Sequence, residues 1–247
     1  MISSDLMFLL QVLASLLNFV DATKYKQYIL APKQRNLKPI AVHSINGDVR
    51  NANTLLSHGQ KRSATTFGAN SSLTLDFGRN VAGTVQFNVR HSSGPNEFVG
   101  VSFTESSMWI SPFHCDSASV GQYDSPLWFK ISQPGEYKAD KYHQRGGFRY
   151  MSLWHNSTGT ISLENLVVYF TASPEVKDLQ GYRGYFHSDS EKLNRVWYAG
   201  AYTNQLCIAD PTTGNTLGIP GTNWYYNATI SSKALTNSHE IPCIDRI

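Results

Sequence analysis

The 247-residue sequence is poor in charge. Asp, Glu, Lys and Arg make up 16% of its residues, against about a quarter in an ordinary globular protein. Its 21 basic and 18 acidic residues leave a formal net charge of +3, which is too small to indicate a nucleic-acid partner. Aromatic residues make up 12%. This balance favours a β-rich exported protein over a cytosolic helical one.

Short catalytic motifs are also missing from the sequence. It contains no G-x-S-x-G, P-loop, G-x-G-x-x-G, C-x-x-C or H-E-x-x-H pattern. His114, Cys115 and Asp116 look like a metal triplet, but three adjacent side chains cannot all point at one ion, so a polar loop is the better interpretation. Glu105 and Asp124 are either paired carboxylates or, as we favour, loop and strand-edge residues. We predict no metal, no cofactor and no catalytic residue.

The three cysteines are Cys115, Cys207 and Cys243. An odd number in an exported chain leaves at least one thiol unpaired or bonded to another molecule, and all three single pairings stay open. Cys207 lies on the apolar side of a predicted helix, and we expect it to be a buried small hydrophobic residue.

Long hydrophobic runs are absent except at the start of the chain. The apolar stretch from Leu6 to Val20 ends near the small residue Ala22, as in a secretory signal, so residues 1–22 are predicted to be a signal peptide and Thr23 the first mature residue. The stretch is short for a membrane span, which needs about 20 apolar residues. We expect an extracellular protein with no membrane segment in its mature form.

Three N-x-S/T sequons support export and predict glycosylation of Asn70, Asn156 and Asn227. Asn70 and Asn156 fall in turn-like stretches between strand patterns, where a glycan can project into solvent. Asn227 lies in a later loop.

Residues 67–180 carry the period-two pattern of strands. Apolar residues alternate or cluster in short runs separated by Gly, Pro, Asn and Ser; the runs are 73–77, 85–89, 98–103, 127–131, 148–154, 161–163 and 166–170. No helical pattern lies between them, so they predict an antiparallel sandwich. We expect Gly78, aided by Asp76, to turn the chain between the first two strands, and part of the Ser106–Ser125 loop to fold back on the sandwich. Residues 23–66 are predicted to be an N-terminal arm with the first strands.

A helical period follows the predicted sandwich. Ser188 and Glu191 have the spacing of a capping box. Apolar residues then recur at helical spacing and predict a core-facing side made of Leu193, Val196, Trp197, Gly200 and Ala201. Glycine is unfavourable inside a helix, so Gly200 indicates a closely packed neighbour.

Four segments resemble one family of enzymes. FHSDSEKLNRVWYAGAYTNQLC (186–207) and GIPGTNWYYNATIS (218–231) resemble the start of the catalytic barrel of α-L-rhamnosidase-type glycoside hydrolases. LDFGRNVAGTVQFNV (75–89) and FRYMSLWHNSTGTISLENLVVYFTASP (148–174) resemble the sandwich domain of the same family. The resemblance implies a mainly β protein: an antiparallel jelly-roll-like β-sandwich at 67–180, followed by the first helix of an incomplete (α/α)6 six-hairpin barrel at 181–231.

The resemblance ends at Ser231. Residues 232–247 do not follow the family pattern, and the family's acid and base come later in its sequence, so no catalytic residue is carried over. The resemblance therefore implies a secreted fragment of an inverting glycosidase, truncated and inactive as given. A helix without its barrel partners would expose an apolar stripe with Val196 and Trp197.

Rhamnose-containing glycans are the partners that the resemblance implies. Exposed aromatic rings stack on the C–H faces of sugars, and we single out Trp224, Tyr225 and Trp109 as sugar contacts. The competing interpretation places these rings in the interface between sandwich and barrel. Two other functions stay open: a non-catalytic carbohydrate-binding or interaction module, and a secreted structural protein without sugar affinity.

Overall fold

A computed structural model describes residues 25–59, 63–116, 125–140 and 143–210, and the backbone of 118–119 and 122–123. Several predictions fall outside this part of the chain. They concern the signal peptide 1–22, Asp124, Trp224, Tyr225, Asn227, Cys243 and the tail 232–247.

The described chain is mainly β, as predicted, with one α-helix. Ten of its strands form one antiparallel sheet, and β7 and β8 pair with each other. The strands are β1 Asn36–Leu37, β2 Ala41–Asn46, β3 Val49–Arg50, β4 Thr65–Phe67, β5 Ser71–Ser92, β6 Glu97–Thr104, β7 Ala118–Ser119, β8 Gln122–Tyr123, β9 Leu127–Ile131, β10 Gly135–Lys138, β11 Arg145–His155 and β12 Ile161–Phe170, and the helix is α1 Glu191–Cys207.

Strand β5 organises the sheet, because its two halves have different neighbours. Residues 71–76 lie between β2 and β11, and β6 and β9 continue this set of strands beyond β11. Residues 83–92 pair with β12 on one side, and residues 86–89 pair with β10 on the other. The Phe87 ring from the second set contacts Phe129 of β9 in the first set, with ring centroids 5.0 Å apart. The two sets therefore pack as the layers of a β-sandwich, as predicted.

The predicted turn at Gly78 is instead a bend inside one strand of 22 residues. Gly78 has φ +75°, a conformation that glycine adopts without steric cost, and the opposing strand β11 changes register near Phe148. Asp76 has the local role expected of it, since its carboxylate accepts the Gly78 N–H at 2.6 Å. Arg149 donates two hydrogen bonds of 2.9 Å to the same carboxylate. These bonds from Arg149 hold the pKa of Asp76 below its usual value.

The described chain divides into two compact units. One contains residues 34–175 with 206–210, and the other contains residues 25–33 with 176–205. Strands β1, β2 and β3 lie in the predicted N-terminal arm and pair with β12, β5 and β4. The sheet therefore starts about thirty residues before Phe67.

Helix α1 begins differently from the prediction. Its N-cap is Ser190, whose hydroxyl accepts the Leu193 N–H at 3.4 Å, so the capping box predicted at Ser188 and Glu191 is wrong. Ser188 instead exchanges hydrogen bonds with the Asn194 side chain. The Glu191 carboxylate accepts from the Tyr28 hydroxyl at 2.5 Å and from Arg195 at 2.9 Å.

The buried side of α1 is also not the predicted one. Leu193, Val196 and Trp197 are 55%, 61% and 37% exposed, and among the described residues a Cβ on Gly200 would meet nothing within 4 Å. Cys207 is only half-buried. The buried residues are Asn194, Tyr198, Tyr202 and Gln205.

Aromatic and amide contacts explain this choice of face. The Tyr198 ring stacks with Tyr28 and Tyr182, with centroids 5.5 and 6.4 Å apart. Gln205 donates to the Leu179 carbonyl and accepts from the Tyr182 hydroxyl. A large ring whose polar groups are hydrogen-bonded can be buried favourably. The tyrosine side of α1 is therefore buried in place of the more apolar side. Leu193, Val196 and Trp197 are left exposed in the described chain.

Candidate functional site

A row of three residues crosses the outer face of the first layer. Trp154 of β11 is paired with Gly100 of β6, and Gly100 is paired with Trp128 of β9. Directly paired residues point to the same side of a sheet. Their strand neighbours Val101 and Leu153 are fully buried on the opposite side. The two tryptophans therefore lie on the outside of the sandwich.

Phe113, Trp128 and Trp154 form a continuous aromatic platform on this face. The Trp128 and Trp154 rings have centroids 5.3 Å apart, and Phe113 meets Trp154 edge-on at 4.7 Å. Trp128 lies against Gly100, because a Cβ added there would be 2.9 Å from the indole. Trp128 is 41% and Phe113 59% exposed, while Trp154 is half-buried. The platform therefore exposes the faces of aromatic rings to solvent, and two of its three rings are attached to strands of the sheet.

The loop after β6 carries Phe113 and is fastened to the sheet. The Ser102 hydroxyl donates to the Ser111 carbonyl at 2.5 Å. Buried Cys115 accepts the Phe103 N–H through its sulfur at 3.4 Å. The prediction that part of this loop folds back on the sandwich is confirmed for the residues up to 116.

Trp109 is the one predicted sugar contact that lies in the described chain. It ends a short 3₁₀ helix, Ser107–Trp109, whose N-cap Ser106 accepts the Met108 N–H. Its side chain is 62% exposed, four residues before Phe113 in the same loop. Sequence reasoning missed Trp128 and Trp154 as contacts. The available signal was their position in strand patterns, where each follows a leucine that points to the opposite face of the sheet.

The polar residues Glu105, His114 and Asp116 lie at the end of β6 and in the loop that follows it. Asp116 accepts the Glu105 N–H at 2.8 Å, while the His114 ring contacts the Cys115 carbonyl at 3.3 Å. Within the ranges that the structure describes, no three His, Cys, Asp or Glu side chains converge. Glu105 accepts from Asn80 at 2.8 Å. Burial of its carboxylate, followed by the charge of Asp116, raises the pKa of Glu105.

Two predicted glycosylation sites are exposed in neighbouring loops. Asn70 lies between β4 and β5 with φ +46°, and Asn156 lies between β11 and β12. The Asn70 N–H donates to the Ser157 carbonyl at 3.1 Å, which holds the two loops together. Their exposure permits glycans at both asparagines, whose glycosylation stays a prediction.

Gly100→Ala is expected to displace the Trp128 ring. The added methyl would overlap the indole, and the outer end of this side chain can move while the strand backbone stays in place. We expect an altered near-UV circular dichroism spectrum with an unchanged far-UV spectrum. Gly184→Ala is the control, because no described atom lies within 4 Å of a Cβ there. Identical near-UV spectra of wild type and Gly100→Ala would contradict this packing.

Comparisons with known proteins gave matches to solved structures alone. No protein-family model matches the chain, and no curated protein matches it. A rhamnosidase from Klebsiella oxytoca with rhamnose bound is 15% identical and has a TM-score of 0.48, over 76% of this chain and 38% of that protein. The GH78 family rhamnosidase of Bacillus sp. GL1 is 16% identical, with a TM-score of 0.47, over 71% and 16% of the two chains.

A chitosan-binding module of Paenibacillus sp. IK-5 is 12% identical, with a TM-score of 0.37, over 56% of this chain and 96% of the module. The chain spans well under half the length of each of the two rhamnosidases. Identities and scores this low leave the function to be inferred from the side chains of the protein itself. No helix in the described residues is both long and apolar enough to cross a membrane.

Proposed function

We propose that this protein is a secreted carbohydrate-binding β-sandwich related to inverting α-L-rhamnosidase-type glycoside hydrolases, and that the aromatic platform is its glycan contact. The packed rings of Phe113, Trp128 and Trp154 carry the proposal. Exposed large apolar groups that cluster on one surface mark interaction sites. Aromatic rings present a flat apolar surface, with a polar edge on tryptophan, that matches the mixed faces of a sugar.

Rigidity of the platform supports a binding role. Trp128 and Trp154 lie on β9 and β11, which both pair with β6. Phe113 lies in a loop that Ser102 and Cys115 bond to β6. Rings that are already ordered lose little conformational freedom when a ligand stacks on them. A platform of this kind binds a glycan chain without a deep cleft.

The sequence resemblance supports rhamnose-containing glycans as the ligand. The segment 148–174, which resembles the rhamnosidase sandwich, supplies Trp154 and the two strands β11 and β12. Phe113 and Trp128 lie outside the resembling segments. Of the three strands that carry the platform, only β11 lies in the family-like sequence, and two of the three rings lie outside it.

Affinity chromatography tests the binding function. The intact protein should be retained on immobilised rhamnogalacturonan and eluted by the soluble polysaccharide. A parallel incubation with p-nitrophenyl α-L-rhamnoside tests catalysis, and we expect no p-nitrophenol. Release of p-nitrophenol would replace the binding proposal by an enzymatic one. Passage through the column without retention would reject a rhamnose-containing glycan as the ligand.

The intact mass of deglycosylated protein from the culture medium tests secretion. Removal of residues 1–22 should leave a mass below the 27.6 kDa of the full sequence. A shift on deglycosylation would show glycan on at least one of the predicted sites Asn70, Asn156 and Asn227. Absence of the protein from the medium would contradict an extracellular location.

A further inference from the structure

A cavity of about 510 Å³ lies in the unit that holds the sandwich. Its floor includes Thr84 of β5, which is paired with Tyr169 of β12. On the other side of β5, Lys138 ends β10 and Ala139 continues the pairing through its N–H to the Val85 carbonyl. Three strands therefore position the floor. Its volume falls within the range of small-molecule sites, roughly 300–1,000 Å³.

Arg35 fixes one wall of the cavity. One guanidinium nitrogen donates to the carbonyls of Phe170 and Ala172 at 2.9 and 3.1 Å, and the other donates to Ser173 at 2.9 Å. These bonds hold the segment after β12, where Thr171 and Pro174 line the cavity. A wall held by these three hydrogen bonds keeps its shape when a ligand enters.

Charges of both signs line the cavity. Lys138 and Arg35 are cationic, while Asp140 and Asp210 are anionic. The His143 ring contacts the Asp140 carboxylate at 2.7 Å. A multiply charged anion would meet two carboxylates here, and a cation would meet a lysine and an arginine. The lining therefore favours a ligand that is neutral overall and rich in both donors and acceptors.

Tyr169 adds an aromatic surface to this polar lining. Its side chain is 44% exposed, whereas the neighbouring lining residues Thr84 and Gln144 are 6% and 3% exposed. Hydroxyl, amide, ammonium and carboxylate groups around one ring can bind the hydroxyls of a sugar while its C–H face stacks on the ring. The Lys138 ammonium only donates and the Asp210 carboxylate only accepts, so these two groups discriminate between acceptors and donors on the ligand.

We propose that this cavity is a second binding site that takes a single neutral sugar ring, with Tyr169 as the stacking residue and Lys138 and Asp210 as hydroxyl partners. The choice of a sugar rests on the proposed carbohydrate-binding function. The cavity residues differ from those of the aromatic platform, so the two sites can be tested separately. The platform takes a glycan chain along an open face, while the cavity takes one ring.

Ligand-observed NMR and calorimetry on the intact protein with L-rhamnose, D-galactose and D-glucose test the cavity. At least one of these monosaccharides should bind, and Tyr169→Ala should weaken its binding at least tenfold. Asp210→Asn and Lys138→Met, which change the lining without removing a ring, should each weaken binding several-fold. Tyr185→Ala is the matched control, since Tyr185 is a similarly exposed tyrosine, at 49%, in the other unit.

Trp128→Ala separates this proposal from the platform. It should abolish retention on the polysaccharide and leave monosaccharide binding unchanged. Polysaccharide retention by the wild type with no monosaccharide bound would overturn the cavity proposal and leave the platform intact. Monosaccharide binding that Trp128→Ala removes and all three cavity variants preserve would also overturn it. Monosaccharide binding without polysaccharide retention would uphold the cavity and reject the platform.

Discussion

Replacing Glu97 with alanine is expected to lower the free energy of unfolding by about 3–5 kcal/mol, as does removal of one partner from a buried ion pair. The Glu97 carboxylate accepts from His155 at 2.8 Å, and their side chains are 9% and 0% exposed. The Ser93 hydroxyl donates to the same carboxylate at 2.9 Å. Alanine would leave the buried His155 ring without its acceptor, whereas the exposed Ser93 hydroxyl can bond to water.

The protonation of His155 follows from its partners. Its Nδ1 lies 2.7 Å from the Gly68 carbonyl oxygen, and its Nε2 faces the Glu97 carboxylate. Both partners are acceptors, so the ring satisfies both only by donating from both nitrogens as an imidazolium. Loss of the carboxylate would strand that charge, whereas Glu97→Gln can donate its amide to a neutral ring and should be milder.

Acid should weaken the wild type through this carboxylate. Burial alone would raise the pKa of Glu97, but hydrogen bonds from His155 and Ser93 outweigh burial and place the pKa below the ordinary value of 4.5. A carboxyl whose folded-state pKa is lowered stabilises the fold above its unfolded pKa. It loses that contribution as the pH falls through the folded pKa. Glu97→Gln should therefore unfold with a flatter pH dependence below about pH 4.5.

Urea unfolding between pH 7 and pH 3 measures both effects. Glu164→Ala is the control, because Glu164 lies 3.9 Å from Arg90 in a partly exposed pair, and we expect it to change stability by less than about 0.5 kcal/mol. Equal destabilisation by Glu97→Ala and Glu164→Ala would show that the buried pair contributes no more than a surface pair. An unchanged acid dependence in Glu97→Gln would assign the acid sensitivity to other carboxyls.

Local pattern was sufficient for the strands but not for the bend in β5. Alternation predicted the runs around Leu75, Val85 and Leu153, whose apolar side chains are buried in the core. Glycine at position 78 indicated a reversal of the chain. The Asp76 carboxylate at the bend is bonded by Arg149, 73 residues later. A partner so distant in sequence leaves no local signal.

The helix shows why hydrophobicity alone chose the wrong face. Leu193, Val196 and Trp197 are the more apolar side, yet Tyr198 and Gln205 are buried. The burial of Tyr198 and Gln205 depends on the rings and carbonyls of the unit that contains them, and these partners come from segments before the helix.

The aromatic platform could not be predicted from the sequence for a similar reason. Trp128 and Trp154 become neighbours only through the register of β6 with β9 and β11.

Trp128→Ala is expected to weaken binding of rhamnogalacturonan by at least tenfold. A buried or stacked tryptophan at the centre of a binding surface typically contributes about 2 kcal/mol or more, and about 1.4 kcal/mol corresponds to a factor of ten in affinity. Trp128 lies over Gly100 and against Trp154, so its removal also takes away the support of the neighbouring ring. Calorimetry or quantitative affinity electrophoresis in polysaccharide-containing gels measures the change.

Trp197→Ala provides a matched control for the loss of an exposed tryptophan. Trp197 is 37% exposed, close to the 41% of Trp128, and lies on helix α1 in the other unit. Its replacement should leave polysaccharide affinity unchanged, because Trp197 is not one of the three rings of the platform. Phe113→Ala should fall between the two variants, since it removes one edge of the platform and leaves both indoles. Equal loss in Trp128→Ala and Trp197→Ala would point to non-specific contact with apolar surface, and full affinity in Trp128→Ala would move the glycan site away from the platform.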